Sequence, residues 1–306
     1  MNITSHFLVR NKCPLCDSDN LDNHLVLDGI RVATCRICGF IFSRDILRAS
    51  EITQFYTDGY HDRHHMNGQR VNAIINIGIL RSFCRNLVGS SLLDIGSGYG
   101  FLLDKVRDCG AVRTVGVELS RAQRTYSIEK LRLETFSQMD DLSTDDQFDI
   151  ITAFELIEHI PEPGDFIQRA CAQLKPGGSL IIGTDNFASS VVKVLGCQFP
   201  KWIPHEHVSH FTAKTLKRML ESNGALKFVN GKSFTPWELR LRQLIFQATS
   251  GRKGGKAYRY EAKRIADNRQ GYRLFPLRFV INRIWFSLTN RANLDGEMMF
   301  LHMIKV

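Results

Sequence analysis

From Ser91 to Thr184 short apolar runs alternate with stretches whose apolar positions recur at helical spacing. SLLDIG (91–96), RTVGVEL (113–119), FDIITAF (148–154) and SLIIGT (179–184) read as buried strands, and LETF (133–136) as a weaker one. FLLDKVRDCG (101–110), residues 121–131 and GDFIQRACAQL (164–174) read as the helices between them. Such alternation predicts a parallel sheet covered by helices on both faces, because a parallel strand must return through a crossover. A further helix is expected over residues 72–86. AKTLKRMLESNG (213–224) reads as a helix stopped by Gly224, followed by strands in LKFVNG (226–231) and EMMFLHMIKV (297–306). The expected fold class is α/β, a doubly wound, seven-stranded, mostly parallel sheet.

Residues 13–38 break this pattern, with turn residues, two short strand-like runs and no helical periodicity. Cys13 and Cys16 form one CxxC pair, and Cys35 and Cys38 form another after 18 intervening residues. That spacing reads as a metal knuckle pair rather than a redox motif. Four thiolates would close a tetrahedral site around zinc, which makes the ion structural. So short a segment also lacks the core area to hold itself together without one. The chain is therefore divided into a zinc-ribbon-like module (1–45), a linker and helical flap (46–90) and a main domain (91–306). Cys84, Cys109, Cys171 and Cys197 are scattered and read as buried thiols, with no disulfides expected.

At 306 residues, with 43% hydrophobic and 10% aromatic content, the chain is globular rather than disordered. Its formal charge of +9 is local: residues 237–293 hold 13 Lys and Arg against 3 Asp and Glu. This basic insertion has three readings: a solvated surface, an amphipathic contact with anionic membrane or a lipid-linked substrate, or a nucleic-acid surface. No apolar h-region follows Met1, and Arg278 and Arg283 interrupt FPLRFVINRIWFSL (275–288), so neither a signal peptide nor a spanning helix is expected. The expected location is cytoplasmic, with a membrane-peripheral one left open.

LLDIGSGYG (92–100) places Gly96, Gly98 and Gly100 between a strand and a helix, where glycine lets backbone approach a ligand beside a helix N-terminus. Asp94 ends that strand and Glu118 ends the next, where a carboxylate can take ribose hydroxyls. LLDIGSGYG, VGVELS, FDIITAFELIEHIPEP and LKPGGSLIIGT, in this order, resemble the class I S-adenosylmethionine-dependent methyltransferases over about residues 90–230. The resemblance implies that Asp94, Gly96, Ser97, Gly98 and Gly100 line the methionine part of S-adenosylmethionine. It implies Glu118 and Leu119 at the ribose, Gln138 and Met139 near the adenine, and Phe154 and Glu155 beside the cofactor. FELIEHIPEP and RACAQLKPGG are similar to the ubiquinone-pathway O-methyltransferases. The cysteine framework is similar to zinc-bearing methyltransferases of deoxysugar, polysaccharide and secondary-metabolite pathways, although the long C-terminal domain of the sugar C-methyltransferases is lacking.

Methyl transfer from a sulfonium needs orientation rather than an enzyme nucleophile, but a hydroxyl acceptor needs a base, and histidine suits that role. His159, in ELIEHIPEP, and His207, in HEHVSHF (205–211), are the candidates. Ser209 stands where a zincin motif would need its second histidine. In an extended loop His205 and His207 would share a face, with His210 and Phe211 securing the start of the next helix. Tyr56, Tyr60 and His61 are candidates for a flap over the pocket. The expected acceptor is a small molecule, such as a nucleotide- or lipid-linked sugar, with O-methylation favoured over C-methylation. RNA is the alternative acceptor, since a zinc module and a basic segment also resemble certain ribosomal RNA methyltransferases. Those carry a histidine at the last zinc position, where this chain has Cys38.

Overall fold

The turn-rich N-terminal stretch holds too few apolar side chains for a core of its own, and it folds by sharing one. In the computed structural model, which describes residues 7–54, 56–57, 63–222, 224–249 and 275–306, this region carries five strands. They are β1 (Phe7–Val9), β2 (Leu21–Leu27), β3 (Ile30–Cys35), β4 (Ile41–Ser43) and β5 (Asp45–Leu47). The strands β2, β3 and β4 form an antiparallel meander, and β1 pairs with β5. Phe40 and Phe42 are fully buried and belong to the same apolar cluster as Leu93, Ile151 and Leu180 of the main sheet. Burying two such rings contributes about 2–3 kcal/mol each.

Helix α1 (Ala49–Gln54) leads to α2 (Arg63–Phe83). The apolar periodicity placed this second helix at 72–86; it begins earlier because its first turns carry Gly68, Gln69 and Asn72 to a cleft instead of to the core. The main domain then follows the expected alternation: β6 (Ser91–Ile95), α3 (Phe101–Asp108), β7 (Arg113–Val117), α4 (Arg121–Leu131), β8 (Glu134–Phe136), β9 (Phe148–Phe154), α5 (Pro163–Ala172) and β10 (Leu174–Asp185). Every residue of β6 is buried, as a strand covered on both faces requires. After β10 come α6 (Ser190–Leu195), β11 (Ser209–His210), α7 (Ala213–Glu221), β12 (Leu226–Phe234), α8 (Trp237–Thr249), α9 (Phe275–Thr289) and β13 (Met298–Lys305). The seven-stranded order is β12-β13-β10-β9-β6-β7-β8, with β13 antiparallel to both neighbours. The order reverses between β6 and β9, which opens a crevice at the carboxyl ends of the strands.

Two features depart from the pattern read along the chain. Residues 209–210 are not the loop before α7 but a strand, β11, that pairs with β4 and completes the N-terminal meander. His210 is consequently fully buried against Phe187 and Trp202 rather than capping a helix; Thr212 and Thr215 form that cap. Cys197 is exposed, and Cys84 and Cys109 are half-buried, so of the scattered thiols only Cys171 is buried as expected. The insertion between β12 and β13 is helical at both ends. Residues 250–274, with eight of its Lys and Arg, lie outside the described residues. No helix among the described residues is long and apolar enough to cross a membrane.

Gly100 precedes α3 in the left-handed region at φ +82, and a Cβ there would come within 2.6 Å of Ser127 Oγ and 2.7 Å of Leu133 Cδ1. Backbone strain and overpacking therefore act together. Gly100→Ala is expected to lower stability by about 2 kcal/mol or more in denaturant unfolding; an unchanged midpoint would contradict the packing described.

Candidate active site and four-cysteine centre

A cleft of about 920 Å3 opens at the switch point. The half over β6, β7 and β8 is built from the glycine loop and the strand tips: Asp94, Gly96, Ser97, Gly98, Glu118, Leu119, Gln138 and Met139 all line it. Gly100 does not; it faces Ser127 of α4 and Leu133 behind the loop. Asp94 accepts a 2.6 Å hydrogen bond from Thr152 Oγ1. Burial raises its carboxyl to about 7, the Thr152 bond opposing and the Glu118 charge adding. Glu118 accepts from the backbone N–H of Gly98 at 2.7 Å and of Ser120 at 2.8 Å, so its carboxylate shapes the glycine loop as well as facing the cleft.

Helix α2 supplies partners that no sequence motif announced. Gln69 accepts from the Tyr99 N–H at 2.9 Å and donates to Gln123 at 2.8 Å. Asn72 donates to Glu155 at 2.7 Å.

The other half lies over β9 and β10. Phe154 and Glu155 line it, and Glu155 sits at φ +51, a left-handed conformation that costs a non-glycine residue about 1 kcal/mol or more. His159 ends a short 3-10 turn (Ile157–His159) and its Nδ1 lies 2.9 Å from Tyr56 Oη and 3.1 Å from the Glu206 carbonyl. Tyr60 and His61, its expected companions in a flap, lie outside the described residues. His207 stands edge-on to His159, with ring centroids 4.7 Å apart. The N–H groups of both Glu206 and His207 bond to the Ile203 carbonyl, so the loop turns here instead of running extended. His205 and His207 therefore part company: the first is exposed beside Glu206, the second is 9% exposed and lines the cleft. Burial lowers both His159 and His207, which keeps the two rings neutral at physiological pH. Glu158, His159 and His207 also bring donor atoms within 4.8 Å of one another, a set that could hold a cation. Glu158 is buried, accepts from Thr184 Oγ1 at 2.7 Å, and is pushed up to about 8 by burial and by Asp185.

A charge cluster that the sequence did not reveal, since its members are distant in the chain, begins at this wall with Glu155 and Lys201 and runs behind it. Lys201 Nζ donates to Asp185 Oδ1 and lies 3.4 Å from Glu297 and 3.5 Å from Glu155. The carboxylates stand at the ends of β10 and β9 and just before β13, so one ammonium ties the loop carrying His207 to three strand ends. Burial lowers and the three carboxylates raise Lys201, which remains charged. Glu297 is pushed up to about 8 by burial.

The four cysteines meet as their spacing predicts. Cys13 and Cys38 Sγ are 3.5 Å apart, as are Cys16 and Cys35 Sγ, and all four sulfurs fall within 4.8 Å of one another. Burial pushes Cys35 up, but backbone N–H groups of Cys38 and Ile37 outweigh it and leave this thiol at about 7. Arg10 tests the fit to a metal. Its side chain is 8% exposed and donates to the Pro161 carbonyl, yet Nε and Nη1 find no hydrogen-bond partner among the described residues. Nη2 has the Glu162 carboxylate at 3.6 Å, and a tetrathiolate ion at Cys13 would place further negative charge beside the two nitrogens left without a partner.

The sequence profile of a methyltransferase domain family matches residues 66–225. The chain belongs to this family. It is an S-adenosylmethionine-dependent methyltransferase. The match begins inside α2 and ends before β12, so the cysteine module and the basic insertion lie outside it. A ubiquinone biosynthesis O-methyltransferase of Nitrobacter winogradskyi is 32% identical to the methyltransferase over 179 residues, 53% of this chain and 68% of that one. One of a Bradyrhizobium species is 31% identical over 181 residues, 52% and 70% of the two chains. Among solved structures, a phosphoethanolamine N-methyltransferase of Haemonchus contortus aligns with a TM-score of 0.49 and 17% identity over 75% of this chain. The methyltransferase spans about half the length of that chain, 52%.

Removing the Lys201 ammonium would leave buried carboxylates without a counter-charge. Lys201→Met is expected to cost about 3 kcal/mol near neutral pH. Burial holds the Asp185 and Glu297 carboxyls above their unfolded values, so the folded state keeps their protons longer and the loss should grow as pH rises through about 8. Urea unfolding at several pH values checks both the size and the sign; a loss that shrinks with rising pH would contradict the cluster.

Proposed function

We propose that the methyltransferase moves the methyl group of S-adenosylmethionine to a hydroxyl of a small polar acceptor, such as a free or carrier-linked sugar, with His207 as base. The observation that carries this reading is a single cleft with two differently equipped halves. The glycine loop, Asp94 and Glu118 suit a cofactor with a ribose and a cationic methionine. Two neutral histidines beside Asn72, Asn76, Glu155 and Glu206 suit a hydrogen-bonding acceptor. The acceptor oxygen attacks the methyl carbon, the carbon–sulfur bond breaks, S-adenosylhomocysteine leaves neutral, and the hydroxyl proton passes to the histidine. His207 is favoured over His159 because a carboxylate, Asp185, stands 3.6 Å behind its Nδ1 to stabilise the imidazolium, whereas His159 Nδ1 meets only the Tyr56 hydroxyl and the Glu206 carbonyl. O-methylation is also the activity in the names of the relatives.

The reading is tested by calorimetry and by labelled-donor assays against a panel of sugars, polyols and phenols. Glu118→Ala should weaken S-adenosylmethionine binding about tenfold or more. His207→Ala should bind the donor normally and lose about a hundredfold or more in kcat. Wild-type protein that bound no S-adenosylmethionine, or a His207→Ala variant with full turnover, would overturn it.

We also propose that Cys13, Cys16, Cys35 and Cys38 hold one structural zinc ion. Support comes from the clustering of the four sulfurs within 4.8 Å of one another and from the Arg10 nitrogens left without a hydrogen-bond partner. Elemental analysis should find one zinc per chain, lost in Cys35→Ser. Because β4 pairs with β11, and Ser43 bonds the Pro204 carbonyl at 2.7 Å and the Val208 carbonyl at 3.0 Å, zinc loss should also speed proteolysis of the 203–210 loop. Metal-free protein with unchanged cleavage there would argue against this support.

A further inference from the structure

His207 is nine-tenths buried and presents its ring to the cleft, yet its Nδ1 is sealed from solvent with no hydrogen-bond partner among the described residues. The carboxylate of Asp185 faces it, with Oδ2 3.6 Å away and likewise sealed and unpartnered. Asp185 is 1% exposed, stands at the end of β10 and does not reach the cleft, so no acceptor touches it. We propose that Asp185 is a positioning residue that receives the Nδ1 proton of His207, fixing the tautomer in which Nε2 is bare and faces the acceptor.

A neutral imidazole carries one proton on either of two nitrogens, and only the unprotonated nitrogen can act as a base. An acceptor placed behind Nδ1 decides which. Two unpaired buried partners at 3.6 Å need close by only about half an ångström to bond, and such contacts are commonly long before a substrate is bound. Asp185 suits the role because its other oxygen is already committed. Oδ1 takes the Lys201 ammonium, which opposes the upward push of burial on this carboxyl and fixes its rotation so that Oδ2 points at the ring. Lys201 and His207 lie on the same loop, so the loop that carries the base also carries the clamp on its partner. The imidazolium formed after proton transfer would find the same carboxylate already in place.

The proposal rests on His207 being the base, and it fails by a different observation. Long-range proton–nitrogen NMR spectra of full-length protein with 15N-labelled histidine report the tautomer directly, with His207 identified by its loss in His207→Ala. Wild type should show Nδ1 protonated and Nε2 bare. In Asp185→Asn the amide oxygen should keep Lys201, turning the NH2 group toward His207 and moving its proton to Nε2. Donor affinity should stay within about twofold by calorimetry, while kcat for acceptor methylation should fall about a hundredfold or more with little change in KM. A wild-type spectrum with the proton on Nε2 would overturn the proposal whether or not the variant folds. An unchanged tautomer in a folded Asp185→Asn protein would do the same. Full turnover by His207→Ala with the expected wild-type tautomer would instead sink the base reading and leave the pairing intact.

Discussion

The ammonium of Lys201 is the interaction on which the acceptor side of this protein depends. It sits among carboxylates from three strand ends, Asp185, Glu155 and Glu297, and it belongs to the loop that delivers His207. Buried ion clusters add little net stability, because desolvation offsets the Coulomb attraction. Their effect is selective: a lysine without carboxylates, or carboxylates without the lysine, would be costly to bury. The loop after α6 therefore has few other places to go, and His207 arrives edge-on to His159 as a result.

The cysteine module reinforces the same loop from the other side. Its meander accepts Ser209–His210 as a fourth strand, Ser43 bonds the backbone on either side of His207, and Arg10 reaches the carbonyl of Pro161, two residues beyond His159. Both histidines are thus held between the strand ends of the main sheet and the cysteine-bearing strands. The family match leaves the module out, while the packing places its Phe40 and Phe42 in the common core.

The two halves of the cleft differ in how they are made. On the cofactor side the groups come from strand tips and the loop directly after β6, and Glu118 braces that loop through the Gly98 N–H. On the acceptor side the groups come from turns and long connections, held by contacts between segments far apart in the chain. Such a division leaves the donor site constant while the connections after β9 and β10 are free to suit different acceptors.

Local sequence determined what depends on local periodicity and spacing. The alternation from Ser91 to Thr184 set the order of strands and helices, LLDIGSGYG and Glu118 marked the donor half, and two CxxC pairs marked the thiol cluster. Each signal lies within a few residues and reflects a backbone requirement there: a run buried on both faces, a glycine at positive φ, a knuckle with two sulfurs on one side. What only the tertiary structure decided is set by long-range contact. Nothing near His210 announces that it is a strand pairing with Ile41. The reach of Gln69 and Asn72 depends on how α2 crosses the strand ends, and the meeting of Lys201 with Asp185 and Glu297 depends on the sheet order that brings β13 beside β10. Read along the chain, HEHVSHF pairs His205 with His207 on one face and leaves His210 to the next helix. Folding made them different, one exposed, one packed between aromatic rings, and one at the cleft with a carboxylate behind it.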